Sequence, residues 1–215
     1  MSAPDKITTA IQRLAAILPL RQNLESLDAE ARKIHDAIQR CYITEGRAPT
    51  LAEINAVIPQ ARDALHTLAG KDIIVTNAEG EIIGAYPFSS EPRTSRIEIN
   101  GHSVHAMCAL DALAPSAMAH CKSRVVSRCA VTQAEVMVEL DDRKILNADE
   151  TRDLFVGINW QAARSAGSCA TSLCTEMLFL KGEAVASQWQ AESPASREIF
   201  TLPEAIQFSA GFFAT

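Results

Sequence analysis

A thiol and a carboxyl stand three residues apart in the apolar run Val104-His105-Ala106-Met107-Cys108-Ala109-Leu110-Asp111-Ala112-Leu113, and a second thiol follows far downstream in Leu173-Cys174-Thr175. If a helix begins near Ala106 or Met107, Cys108 falls in its first turn and Asp111 lies one turn later on the same face. Unpaired N–H groups at a helix start favour thiolate over thiol, so the expectation is a Cys108 more acidic than a free cysteine. An aspartate inside Ala-Leu-Asp-Ala-Leu meets an apolar wall, where desolvation disfavours its charge and prepares it to take up a proton and pass it on. Two thiolates are the ligands that a large polarizable cation selects, Cu(I) or, by the same softness, Hg(II). Cys174 opens the alternating series Cys174, Glu176, Leu178 and Leu180, which predicts a strand that holds its thiol rigidly. On these residues alone each cysteine also reads as a small buried hydrophobe, and Asp111 as the partner of a buried backbone donor.

Other arrangements of soft ligands fit less well. The chain has six cysteines, at 41, 108, 121, 129, 169 and 174. It contains no C-x2-C pair, and the spacings Cys121-x7-Cys129 and Cys169-x4-Cys174 do not match structural zinc sites. His102, His105 and Cys108 recur at three-residue intervals, but Asn100-Gly101 is a strong two-residue hairpin signal, so the histidines belong to a strand and point to opposite faces. No run of eighteen apolar residues is present and the first residues lack a signal-peptide pattern, so the expected location is the cytoplasm, where thiols stay reduced rather than paired.

The elements that must position these groups fall into two parts, residues 1–88 and 89–215. Ile7, Ile11, Leu14 and Leu18 mark one helix, and Leu27, Ala31, Ile34, Ile38 and Cys41 a second. Thr50 with Glu53 forms a capping box for a short helix to about Val57, and Pro59 suits the first turn of another from Gln60 to Lys71. Strand-like runs at 72–76 and 81–86, separated by Asn77-Ala78-Glu79-Gly80, complete a winged-helix-like module. Pro87 to Arg96 reads as a turn-rich linker. Beyond it, alternation over Glu135 to Leu140 and Thr175 to Leu180 predicts strands. Glu183 to Glu192 and Pro203 to Phe213 predict closing helices, the second with Thr201 and Glu204 as a capping box. The fold class is therefore α+β, a helical winged-helix-like module followed by a mixed core of short strands and helices.

With the motif in view, a family likeness is clear. Val104 to Leu113 with its Cys-Ala-Leu-Asp, Ser127-Arg128-Cys129, Leu173-Cys174, Phe179-Leu180 and Trp189 resemble the alkylmercury (organomercurial) lyase family. The likeness extends over roughly residues 73 to 215, while the N-terminal helices agree only in general layout. It implies that Cys108 binds the mercury of an organomercurial, that Asp111 relays the proton, and that Cys174 is the second sulfur ligand. Cys129 matches a position held to be structural. The implied reaction is protonolysis of the carbon–mercury bond to a hydrocarbon and Hg(II), with no resident cofactor. Low-molecular-weight thiols or a mercuric reductase then collect the ion. Met107 replaces a frequent Trp, and Thr175 replaces a second adjacent cysteine of some members, departures that bear on substrate fit and product hand-over. Cys169 reads as an extra ligand on a flexible approach through Ser165 to Ser168, or as a buried thiol.

Bulk properties narrow the partners. The net charge is −6, and through Glu81 nine Lys and Arg face eleven Asp and Glu, so the winged-helix-like module lacks the basic footprint of a nucleic-acid reader. Two rival classes stay open at this level. One is a noncatalytic soft-metal or redox-sensing thiol protein. The other is a winged-helix regulator that uses a lyase-like domain as its sensor. In both, Asp111 is dispensable.

Overall fold

The computed structural model describes residues 3–59, 61–163 and 168–213. Its elements run α1 (Ala3–Ile17), α2 (Leu20–Glu25), α3 (Ala29–Glu45), α4 (Leu51–Val57), α5 (Arg62–Gly70), β1 (Ile74–Thr76), β2 (Ile82–Ala85), β3 (Phe88–Ser89), β4 (Arg96–Ile99) and β5 (His102–Ala106). There follow α6 (Ala109–Ala112), α7 (Ala114–Ala119), β6 (Lys122–Arg128), β7 (Glu135–Asp141), β8 (Lys144–Ile145), β9 (Leu154–Asn159), β10 (Met177–Lys181), α8 (Glu183–Ala191), β11 (Arg197–Thr201) and α9 (Leu202–Phe213). The mixed α and β class expected from the sequence is the one found.

Local chemistry explains the N-terminal helices. The apolar stripe of α1 buries Ile7, Ala10 and Leu14. Helix α3 starts where the Asp28 carboxylate accepts the Ala31 N–H at 2.8 Å. It stops at Gly46, whose φ of 70° is the left-handed conformation that glycine adopts without a Cβ penalty. The Thr50–Glu53 capping box of α4 forms as expected, each side chain taking the other's backbone N–H. Two details differ from expectation. A short α2 intervenes between the first two long helices, and α5 starts at Arg62 rather than beside Pro59, after the Asn55 side chain accepts the Ala61 N–H at 3.2 Å.

Among the described residues the strands form an antiparallel eight-stranded sheet, ordered β1-β2-β3-β5-β4-β6-β7-β8, and a three-stranded sheet, β10-β9-β11. The predicted Asn100-Gly101 hairpin is the β4–β5 turn, with Ile99 opposite His102 and positive φ at both turn residues. The expected linker from Pro87 is a linker only in part. Phe88 is fully buried and, as β3, pairs with both Ala85 and Ala106, so the hairpin of the N-terminal part and the strands that follow share one sheet. Helix α9, opened by the predicted Thr201–Glu204 box, packs on α1, α6 and α7 and so backs the segment that carries Cys108 and Asp111. No helix among the described residues is long and apolar enough to cross a membrane.

Candidate active site

Strand β5 keeps the backbone extended as far as Ala106 because Ala106 pairs with Phe88 in the sheet, and Met107 then donates its N–H to the Pro87 carbonyl at 3.2 Å. The helix therefore does not begin at Ala106 or Met107, as the apolar run predicts, but at Ala109. Cys108 is its N-cap, with φ −153° and ψ −178° and its sulfur accepting the Asp111 N–H at 3.3 Å. Helix α6 is a single turn, and α7 takes over with Pro115 in its first turn, where a missing N–H costs nothing. The Ser209 hydroxyl of α9 donates to the Leu110 carbonyl at 2.9 Å and ties this turn to the core.

Cys174 also sits in a different element from the one predicted. It lies in a 3-10 turn, Leu173–Glu176, closed by Thr175 donating to the Ser172 carbonyl at 3.1 Å. The ladder of β10 starts only where Met177 meets Ile158. The thiol is nevertheless held at the strand's entrance, and the three side chains converge. The sulfurs of Cys108 and Cys174 and a carboxylate oxygen of Asp111 lie within 4.8 Å of one another, the sole such metal-competent cluster among the described residues. The Cys174 thiol points its proton at Asp111 Oδ2 across 3.8 Å. His102 is exposed and His105 hydrogen-bonds the Arg93 backbone, so the histidine spacing builds no ligand set.

Burial sets the protonation state. Asp111 is only 2% exposed, and desolvation pushes its carboxyl up to about 7, against a partial opposing effect of the Cys108 and Cys174 hydrogen bonds. For Cys108 the result reverses the expectation of an acidified thiol. Desolvation drives it up to about 12, because a one-turn helix contributes too little field to offset complete burial. Cys174 is raised as well, first by its contacts with Cys108 and Cys169 and then by burial. The resting site thus holds two thiols and an acid whose proton is easily gained or lost near neutrality.

A cleft of about 370 Å³ reaches the two sulfurs; its walls include Arg93, Met107, Cys108, Ser127, Cys174 and Phe179. Asp111 is absent from that lining and stands behind the thiols. Cys129 also borders the cleft, its sulfur accepting the Lys181 N–H at 3.3 Å. Three neighbours escaped the sequence reading. Met177 Sδ accepts the Cys108 S–H at 3.5 Å, a soft contact for which the three-residue spacing from Cys174 was the available signal. Asp72 and Tyr86 pin the adjoining turn from a distant part of the chain, which no local pattern reveals: Asp72 Oδ2 accepts the Cys169 N–H at 2.8 Å and the Tyr86 hydroxyl accepts that of Ala170 at 2.7 Å. Cys169 itself is buried, with its sulfur 3.6 Å from that of Cys174. The approach expected to carry it lies, apart from Ser168, outside the described residues.

Comparison with known proteins places the chain in a family. The sequence model of the alkylmercury lyase family matches residues 88–214. An alkylmercury lyase from Staphylococcus epidermidis is 21% identical over 145 residues, a stretch that covers 67% of this chain and 64% of the relative's own length. The crystal structure of the mercury-bound form of MerB2 superposes with a TM-score of 0.70 at 24% identity, over 91% of this chain and 97% of that one, a likeness of fold.

Proposed function

From the premise that the chain belongs to the alkylmercury lyase family, we propose that it cleaves the carbon–mercury bond of organomercurials by protonolysis. The convergence of two thiols and a neutral-range acid within 4.8 Å carries this reading. The mercury-bound state of the structurally similar protein supports it. The substrate arrives as R–Hg–SR′, bound to a low-molecular-weight thiol. The Cys108 sulfur bonds to mercury, the R′S–Hg bond breaks, and the Cys108 proton leaves with R′SH. Cys174 then passes its proton to the Asp111 carboxylate, along the 3.8 Å contact, as its sulfur becomes the second ligand. A second thiolate raises electron density on carbon. Asp111 delivers its proton there, the C–Hg bond breaks, and R–H departs while Hg(II) stays between Cys108 and Cys174 with Asp111 again ionised.

Burial favours this sequence energetically. Free thiolates are costly in the site, so each thiol ionises as mercury takes its electron pair, and metal binding and proton release are one event. An acid near 7 accepts the proton of Cys174 and surrenders it to carbon within the same turnover. The mercury is substrate and product here, and the chain's own residues supply every proton the reaction needs. External thiols, or a mercuric reductase in the cell, collect the ion.

The test is hydrocarbon release from phenylmercury or methylmercury with excess thiol. Wild type is expected to yield one hydrocarbon per mercury, and Cys108→Ser, Cys174→Ser and Asp111→Asn to yield almost none. Tight binding of the organomercurial by wild type without hydrocarbon overturns the lyase reading in favour of a noncatalytic soft-metal protein.

A further inference from the structure

The proposed reaction uses two sulfurs, yet three are packed together. Cys169 Sγ is 3.6 Å from Cys174 Sγ, so Cys174 stands between Cys108 on one side and Cys169 on the other. Cys169 is 4% exposed and, unlike Cys108 and Cys174, is absent from the cleft lining. Its place is built rather than incidental. It begins a 3-10 turn, Cys169–Thr171, whose first N–H groups are each taken by a side chain from the N-terminal half: Cys169 by Asp72 and Ala170 by Tyr86. Asp72 in turn accepts from the Tyr86 hydroxyl at 3.2 Å and holds a left-handed φ of 51°. That conformation is uncommon away from glycine, and asparagine and aspartate tolerate it best. Two elements remote in sequence thus converge on the backbone that presents one thiol to another.

We propose that Cys169 and Cys174 form a second two-sulfur seat for Hg(II), which takes the ion from the Cys108–Cys174 pair after the carbon has left. In this step the Cys169 sulfur bonds to mercury, the Cys108–Hg bond breaks, and the Cys169 proton ends on Cys108; no electrons are exchanged and Cys174 remains a ligand throughout. The product is then drawn toward the sulfur that lies outside the cleft lining and held by two soft donors, while Cys108 is restored as a thiol for the next organomercurial. The N-terminal module thereby has a role in the site, since Asp72 and Tyr86 hold the retaining sulfur in position. The inference rests on the lyase reading only for the source of the ion, because the seat itself is defined by affinity for Hg(II).

Mercuric chloride is therefore the probe, loaded at one equivalent and challenged with excess glutathione, which strips mercury from isolated cysteines. The readouts are the rate of mercury loss and the number of sulfur neighbours by mercury X-ray absorption. Cys108→Ser is expected to retain the ion with two sulfurs. Adding Cys169→Ala, or the near-isosteric Cys169→Ser, should speed its loss by at least about tenfold, the lower end of what losing even an outer partner of a metal site costs in affinity. Cys174→Ser should lose it as fast, because both seats share that sulfur. If Cys108→Ser alone sheds mercury as quickly as the double variants, or Cys174→Ser retains it like wild type, the second seat does not exist. Absence of hydrocarbon release by wild type, with retention by Cys108→Ser intact, sinks the lyase reading and leaves the seat standing.

Discussion

Two acids occupy the same position in the same local motif and meet opposite fates. Glu53 is the third residue of α4, where its N–H is accepted by the cap residue Thr50; Asp111 is the third residue of α6, where its N–H is accepted by the cap residue Cys108. Both lie at the start of a helix, where the backbone favours negative charge. Glu53 is exposed, gripped by both arms of Arg47 at 2.7 and 2.9 Å and by the Thr50 N–H at 2.7 Å, and its carboxyl falls to about 2. Asp111 has no cation beside it among the described residues, is buried against two sulfurs, and rises to about 7. The helix start therefore decides neither value. What decides is exposure and a guanidinium: both reach Glu53, while Asp111 is buried with no guanidinium beside it among the described residues. One acid completes a capping box and secures a helix; the other, at a one-way cap, holds a proton in reserve.

The sharpest break of this contrast is Asp111→Asn. It keeps size but turns one carboxylate oxygen into an amide nitrogen and removes the proposed proton relay, so hydrocarbon release from phenylmercury should fall by about 10²–10⁴-fold, the usual contribution of a positioned acid or base. The equivalent change at the exposed acid, Glu53→Gln, should leave release within about twofold, since substitutions far from the chemistry touch no interaction made in the transition state. Equal losses in both variants would mean that Asp111 acts through folding alone.

The same pair separates in stability. With a folded value near 7 against an ordinary 3.8, Asp111 keeps a proton that the unfolded chain has already released. Its contribution is therefore fully present below about 3.8 and is lost as pH rises through 7. Asn cannot ionise, so the variant should be more stable than wild type, and its advantage should grow by roughly 2–3 kcal/mol between pH 5 and pH 8. His35, held below its ordinary value chiefly by desolvation, is common to both proteins and cancels in the difference. Urea unfolding at several pH values measures this. A gap that stays constant with pH would show that Asp111 is not held protonated.

How much of this was visible beforehand follows from the range of the interactions. The capping boxes at Thr50–Glu53 and Thr201–Glu204 and the Asn100-Gly101 turn span four residues or fewer, and each forms where the sequence places it. The candidate site residues were legible by type, since thiol, acid and thiol are the groups the proposed chemistry needs, and the structure brings them within 4.8 Å. Their elements differ from those the local pattern predicts for nonlocal reasons: pairing with Phe88 holds Ala106 in the sheet, and the β10 ladder begins only at Met177. The acidity assigned to Cys108 failed because sequence supplies the helix start but not the depth of burial. The Asp72–Tyr86–Cys169 contacts join segments 97 residues apart and leave no periodic trace.

The two cap residues give the next comparison. Serine is a better N-cap than most side chains, and a hydroxyl at position 108 is able to accept the Asp111 N–H as the sulfur does. Cys108→Ser should therefore change folding stability by no more than about 1 kcal/mol, of either sign, while abolishing hydrocarbon release. Cys108→Ala loses the cap as well and should be less stable than the serine variant. Were serine and alanine equally stable at this position, the thiol would be a ligand only and not the cap that shapes α6.

The smallest effects belong to the exposed box. Thr50→Ala removes the acceptor for the Glu53 N–H and should cost about 1 kcal/mol with no change in hydrocarbon release. Glu53 itself is expected to be visible only in acid. Its folded value near 2 lies below the ordinary 4.5, so its contribution is present above 4.5 and disappears as pH falls through 2. Glu53→Gln should accordingly flatten the acid limb of the stability profile without altering the slope between pH 5 and 8, which Asp111 governs. Because the Arg47 pair is solvent-exposed, added salt should shrink the Glu53 difference and leave that of Asp111 nearly untouched, since screening reaches a surface ion pair but not a carboxyl behind two thiols.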